Sequence, residues 1–227
     1  MVRLVLFDID GTMLLTNHVG ITAFDRVLKS QFGVPNGTRG LNFAGRTDTG
    51  LIREIFLKHG IAVTEENRER FLVAYLHFLA EMLPHCSGVV CAGVAGLMEE
   101  MKSLPTPPTL GLLTGNFRLG AELKLRQFGL WDDFVLGAFA EDHEDRNLIA
   151  AAALERGRAM LGPDLKGEEI VVIGDTPHDI TCGRAIGAKV LAVATGNFSV
   201  KELAALKPDW TLPDLTHLGA AEICEMD

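Results

Sequence analysis

The chain has 227 residues, of which 48% are hydrophobic, and its 30 acidic against 21 basic residues give a formal net charge of −9. That length and apolar share suit one large α/β domain, or a domain with a modest insertion, and no stretch is polar enough to read as disordered. The charge excludes the basic footprint of a general nucleic-acid binder and disfavours anionic membrane surfaces, so an anionic ligand needs a locally positive site or a metal.

Residues 2–7, Val-Arg-Leu-Val-Leu-Phe, form an apolar run with almost no alternation, the pattern of a strand buried on both faces. Asp8 and Asp10 follow where such a strand ends. Side chains two apart on an extended chain point the same way, so these acids can address one small volume. Their repulsion is relieved by a bound cation or by a proton held on one of them. Gly11 then permits a sharp turn. An Asp-Gly turn without further purpose is the alternative reading of this stretch taken alone.

A short apolar link, residues 13–16, leads into a helical pattern carrying Ile21, Phe24, Leu28 and Phe32, stopped near Gly33 and the turn at Pro35-Asn36-Gly37. Thr47 is placed to N-cap a second helix carrying Leu51, Ile52, Ile55 and Phe56, and Thr64 starts a third with an acidic first turn. The stripe Phe71, Tyr75, Phe78, Leu79, Met82 reads as core. Residues 16–86 are therefore expected to be all-helical, an insertion in an α/β chain. From about residue 88 helices and short apolar strands alternate. A helix is expected over 93–104, a strand over 109–113 ending in Thr114-Gly115-Asn116, and a helix over 118–128. A weaker strand follows over 134–136, then an alanine-rich helix over 148–161 just after Asp145-Arg146-Asn147. The clearest later strand, 170–173, runs into Gly174-Asp175-Thr176-Pro177-His178-Asp179; strands over 189–194 and 210–212 and two short helices complete the chain. Such alternation implies a parallel sheet covered on both faces, with ligands outside the carboxyl ends of its strands.

Cys86, Cys91, Cys182 and Cys224 form no C-x-x-C pair and lack zinc-type spacing with histidine, which fits unlinked thiols in a reducing compartment. No cleavable leader pattern precedes the first strand and no apolar run approaches a membrane span. The expectation is a cytoplasmic protein.

Taken in order, Asp8-Ile9-Asp10-Gly11-Thr12, Thr114-Gly115-Asn116, Arg146 and Gly174-Asp175-Thr176-Pro177-His178-Asp179 resemble the motifs of the haloacid dehalogenase superfamily. The helical insertion is similar to the cap of its phosphoglycolate phosphatase and β-phosphoglucomutase branch. The resemblance implies a Rossmann-like core over 1–15 and 87–227, a mobile cap over 16–86, and closure through the two short links. It also implies Asp8 as the nucleophile that takes up a phosphoryl group. Asp10 would be the general acid and base, its backbone carbonyl joining Asp8 and Asp175 around Mg²⁺. Thr114 would donate its hydroxyl to phosphate, helped by backbone N–H groups of Gly115 and Asn116 at the following helix N-terminus. Members of the superfamily usually carry a lysine before the next helix; here no lysine occurs between Lys124 and Lys166, and Arg146 is the cation in that place. Its bland reading is a solvated first-turn arginine.

Pro177 fits the first helical position, making Thr176 the N-cap and Asp179 an orienting or capping acid rather than a metal ligand. His178 is expected to be exposed and incidental. Gly45-Arg46, in a loop before a helix, could reach the non-phosphate end of a substrate, or be an ordinary exposed arginine. Asp10 argues against carbon–halogen or carbon–phosphorus cleavage, since superfamily members with those activities lack it. The reading is a phosphatase for a small phosphorylated metabolite, with phosphoglycolate as the nearest family example, acting as a monomer or homodimer. A sugar-phosphate mutase and a catalytically silent binding module are the alternatives.

Overall fold

A computed structural model describes residues 1–224; the end of the expected core segment, 225–227, lies outside the described residues. In chain order the elements are β1 (Leu4–Phe7), β2 (Leu14–Leu15), α1 (Val19–Phe32), α2 (Asp48–Lys58), α3 (Glu65–Met82), β3 (Val89–Val90), α4 (Val94–Lys102), β4 (Thr109–Leu113), α5 (Arg118–Gln127), β5 (Leu136–Ala138), α6 (Arg146–Leu161), β6 (Ile170–Gly174), α7 (Pro177–Ala185), β7 (Lys189–Val193), α8 (Val200–Ala204), β8 (Trp210–Leu212) and α9 (Ala220–Cys224).

Every residue of β1 is buried because the strand has protein on both faces. Val5 and Phe7 enter one apolar layer with α4, α5 and α9; Leu4 and Leu6 enter the opposite layer with α6 and α7. Each such side chain contributes about 1.5–3 kcal/mol by leaving water. The strands form one parallel sheet in the order β5-β4-β1-β6-β7-β8, with Phe7 opposite both Leu112 and Ile173. All carboxyl ends therefore share one edge, and β1, β4 and β6, which carry the three polar motifs, are adjacent there.

Helices α1–α3 build a separate apolar cluster in which Phe24 meets the edges of Phe71 at 4.9 Å and Tyr75 at 5.0 Å. Thr47 and Thr64 cap α2 and α3 with their hydroxyls, as expected. Phe117 and Ala140, from the loops after β4 and β5, close this cluster against the sheet edge.

Some boundaries differ from the sequence reading. The weak strand lies at Leu136–Ala138 rather than 134–136, because Gly137 and Ala138 pair with Leu112 and Leu113 while Phe134 packs its ring onto Phe7. The alanine-rich helix begins at Arg146, since the Asp145 carboxylate caps it by accepting from Asn147 N at 2.8 Å. The helix expected over 93–104 is Val94–Lys102, closed by Ser103. The first link, residues 13–16, is not plain coil: Leu14 and Leu15 pair antiparallel with Val90 and Val89, just beyond the second link at 84–88, in a two-stranded ribbon. Among the described residues no helix is long and apolar enough to cross a membrane.

Candidate active site

Asp8 ends β1 and is held by its own backbone: its N–H donates to the Ile173 carbonyl at 2.9 Å. The chain then turns tightly, with Gly11 at φ +89°, where a Cβ would overlap the Asp175 carboxylate. Glycine at this position thus admits Asp175 from β6. Thr12 donates to Asp175 Oδ1 at 3.0 Å, and Thr195, after β7, donates to the Gly11 carbonyl at 2.5 Å. Asp8, Asp175 and Asp179 are buried, with carboxylate oxygens within 4.8 Å of one another.

Crowding and dehydration set their electrostatics. Burial, reinforced by the charge of Asp179, pushes Asp8 up to about 7 against the opposing pull of Arg146. Burial and the charges of Asp179 and Asp8 push Asp175 up to about 8. A cation seated among these oxygens reverses that balance, and an all-oxygen donor set suits a hard divalent ion.

Arg146, on the first turn of α6, is buried rather than solvated. Its guanidinium pairs with Asp179, reaches Asp8 Oδ1 at 3.5 Å from Nη1, and lies beside the Cys182 thiol. Its Nε finds no geometric hydrogen-bond acceptor among the described residues. Asp179 is the third residue of α7, and its Oδ2 accepts from Thr176 N at 3.0 Å and Thr176 Oγ1 at 2.6 Å. Both of its oxygens are thus engaged by protein donors. His178 is exposed.

Asp10 lies apart from this buried group, with 43% of its side chain exposed. Its Oδ2 accepts from Asn116 Nδ2 at 2.8 Å and from Lys124 Nζ at 2.6 Å. Asn116 Nδ2 also donates to Thr114 Oγ1 at 2.8 Å, and the Thr114 hydroxyl acts on Asp8. The sequence pattern assigns no individual role to Lys124, Asp48, Thr12 or Thr195. One signal was available: Lys124 shares the inward stripe of α5 with Ala121 and Leu125, where an ammonium needs a partner.

Further along, the first amides of α5 point to protein acceptors. Phe117 N donates to Asp48 Oδ2 at 2.9 Å, and Arg118 N to the Glu141 carboxylate at 2.9 Å and 3.0 Å. These orphan amides are satisfied by carboxylates from other segments. The Asn116 side chain is likewise committed to Asp10, Thr114 and Lys124.

Helix α2 closes the site from above. Asp48 N donates to the Gly115 carbonyl at 2.7 Å, Thr47 Oγ1 to the Glu144 carbonyl at 2.9 Å, and Thr49 Oγ1 to the Ala140 carbonyl at 3.1 Å. The cavity between them, about 550 Å³ and partly open, has Asp8, Asp10, Thr114, Arg146 and Asp175 on its floor and Ile21, Phe24, Phe43 and Tyr75 on its roof. Arg46 lines it too, while its Nη1 pairs with Glu54 Oε2 at 2.6 Å.

A family model described as haloacid dehalogenase-like hydrolase matches residues 5–193. The chain is 28% identical over 215 residues to the probable phosphatase IndB of Dickeya dadantii, covering 90% of this chain and 86% of that protein. It is 27% identical over 222 residues to the pyrophosphatase PpaX of Bacillus cereus, covering 96% and 94%. Among solved structures, CbbY from Rhodobacter sphaeroides in complex with phosphate aligns with a TM-score of 0.76 at 18% identity, covering 100% of both chains. A predicted phosphatase from Clostridium acetobutylicum aligns at 0.74, also with 18% identity and 100% of each chain covered. At these identities the solved structures speak for the fold.

Proposed function

The chain belongs to the haloacid dehalogenase-like hydrolases, and from that premise we propose that it is a magnesium-dependent cytoplasmic phosphatase hydrolysing a small phosphomonoester through an aspartyl-phosphate. One observation carries the reading: a buried nucleophilic carboxylate (Asp8), a hydroxyl donor (Thr114), a buried cation (Arg146) and a second buried acid (Asp175) converge on one cavity from four separate elements. Asp8, Asp175 and the backbone carbonyl of Asp10 would hold the ion; Asp179, whose oxygens are engaged, would orient Arg146 instead. When bound, the ion neutralises these acids and the phosphate, so that Asp8 is ionised and can approach a dianion.

Asp8 attacks phosphorus, forming an acyl phosphate while the ester oxygen leaves. Arg146 and the Thr114 hydroxyl offset charge on the transferring oxygens. Asp10 protonates the leaving oxygen and then takes a proton from the water that attacks the acyl phosphate. Because Oδ2 of Asp10 already accepts two hydrogen bonds, the proton rides on Oδ1. Residues 16–86 act as the cap: α2 and the roof side chains exclude bulk water during transfer.

The test is a screen of phosphomonoesters, with phosphoglycolate and sugar phosphates first and inorganic pyrophosphate as a comparison because one relative is named a pyrophosphatase. Hydrolysis abolished by exhaustive chelation and restored by magnesium supports the reading. Full activity after chelation, or no turnover of any phosphate compound, rejects it. Transfer of labelled phosphate to a second sugar rather than to water would make the enzyme a mutase.

A further inference from the structure

Lys124 reaches the site from α5, and its role there rests on hydrogen-bond polarity. An ammonium has three donors and no acceptor, so every oxygen it touches must accept. Its Nζ lies 2.6 Å from Asp10 Oδ2 and 2.7 Å from Asn116 Oδ1. The second contact settles the orientation of the Asn116 amide. With Oδ1 committed to Lys124, the NH₂ group must face Asp10 Oδ2 at 2.8 Å and Thr114 Oγ1 at 2.8 Å. Thr114 Oγ1 then accepts from Asn116 Nδ2, and also from Asn116 N at 3.3 Å, so its own hydrogen is left for donation towards Asp8 and the phosphate site. One charged donor thus sets the direction of a relay that ends at both acids of the first motif.

The amine is also sealed in. Lys124 is 4% exposed, and the first turn of α1 passes over it at Gly20, where a Cβ would lie 3.7 Å from Nζ and 3.7 Å from the Tyr75 hydroxyl. Burying an ammonium is costly unless it is paired, and Asp10 is the carboxylate within salt-bridge distance. A lysine serving packing alone would be matched by methionine or leucine at this inward position of α5.

We propose that Lys124 is a positioning residue for phosphoryl transfer: it anchors Oδ2 of Asp10, leaving Oδ1 to move the proton, and orients Asn116 so that Thr114 donates into the phosphate site. The proposal rests on the phosphatase reading, and its test separates the two. Rapid-quench kinetics would use p-nitrophenyl phosphate, whose leaving group needs little protonation, and an alkyl phosphate, whose leaving group needs it. Lys124→Met should still release a burst of one p-nitrophenolate per site and then break down its phosphoenzyme slowly. The alkyl ester should lose its burst. The slowed steps should fall about 10- to 100-fold, within the range that general acid–base help supplies. Inhibition by inorganic phosphate should weaken by no more than about tenfold, the worth of the single Thr114 hydrogen bond, because Arg146 still faces the phosphate site. Methylammonium should restore part of the lost rate to Lys124→Ala, which has room for it.

Wild-type rates with both esters in Lys124→Met overturn the proposal and leave the phosphatase reading intact. So does an equal loss with both esters accompanied by lost phosphate binding, which marks a structural lysine. Unfolding of both variants, unrelieved by methylammonium, assigns Lys124 to stability and overturns it as well. Failure of the wild-type chain to hydrolyse any phosphomonoester overturns the parent reading, and this proposal with it.

Discussion

Asp8 and Asp10 are two positions apart in sequence and yet live in different solvents. Asp8 is 4% exposed, against the Arg146 guanidinium, whereas Asp10 keeps 43% of its side chain open to the cavity. Asp8→Asn removes the oxygen proposed to attack phosphorus, so turnover should vanish and no labelled phosphate should attach to the protein. Asp10→Asn keeps the proposed nucleophile and loses the proposed proton transfer, a contribution typically worth about 10²–10⁴-fold. It should accept phosphate from p-nitrophenyl phosphate and then stall as the phosphoenzyme. Covalent label on Asp8→Asn would overturn the first assignment, and normal dephosphorylation in Asp10→Asn the second. The meeting of Asp8, Thr114, Arg146 and Asp175 was legible in the sequence because parallel strands bring their carboxyl ends to one edge. The arginine standing where a lysine is usual is buried and paired with Asp179, not solvated. Lys124 and Asp48 escaped because their partners lie across the fold, 114 residues away for the Lys124–Asp10 pair and 69 for Asp48–Phe117. A lysine on an apolar stripe announces that it has a partner, not which one.

The seam between α2 and the sheet edge decides whether the cavity is closed. Its tightest point is Gly115, where a Cβ would overlap the Arg46 carbonyl oxygen. Gly115→Ala should therefore hold the start of α2 away from the edge without disturbing the packed faces of the sheet. Exchange of the Asp48 amide, now bonded to the Gly115 carbonyl at 2.7 Å, should speed up at least about tenfold, while amides of β1 and β6 keep their protection. Unchanged exchange at Asp48 would mean that the seam yields elsewhere. Element types were readable wherever a period or a buried run was long: β1, β6, α1 and α3 each carry their pattern over a full face. The ribbon of Leu14–Leu15 with Val89–Val90 was not, because two residues show no period and its partner strand is more than 70 residues away. The misplaced strand near residue 136 has the same cause: Phe134 and Val135 look more strand-like than Gly137, but long-range pairing with β4 selects Gly137.

Across the whole molecule, the site stores acidity that folding holds back. Asp8 is raised to about 7, Asp175 to about 8 and Asp48 to about 7, each chiefly by burial. A carboxyl whose folded value lies above its unfolded one keeps its proton longer when folded, so the native chain binds more protons between about pH 4 and 8. Its stabilising contribution is complete below the unfolded value and fades as pH rises through the folded one. Asp142, Asp164, Glu202 and Asp214 are shifted the other way by hydrogen bonds and ion pairs, and their contribution fades only as pH falls below the ordinary carboxylate range. The two sets therefore act in different windows. In chelator, the melting temperature should fall as pH rises from 5 to 8. On the proposed assignment magnesium binds the ionised acids, so it should reverse the fall, acting strongly at pH 8 and weakly at pH 5, where it competes with protons. A ligand at about 100 times its Kd adds roughly 2.7 kcal/mol, which for a chain of this size is roughly 5–10 °C. Asp175→Asn should flatten the pH slope and abolish most of the magnesium shift, since it removes both a retained proton and an oxygen proposed to hold the metal. Calorimetry in chelator and in magnesium at the two pH values checks this, and an equal magnesium shift at pH 5 and pH 8 would detach the ion from these acids.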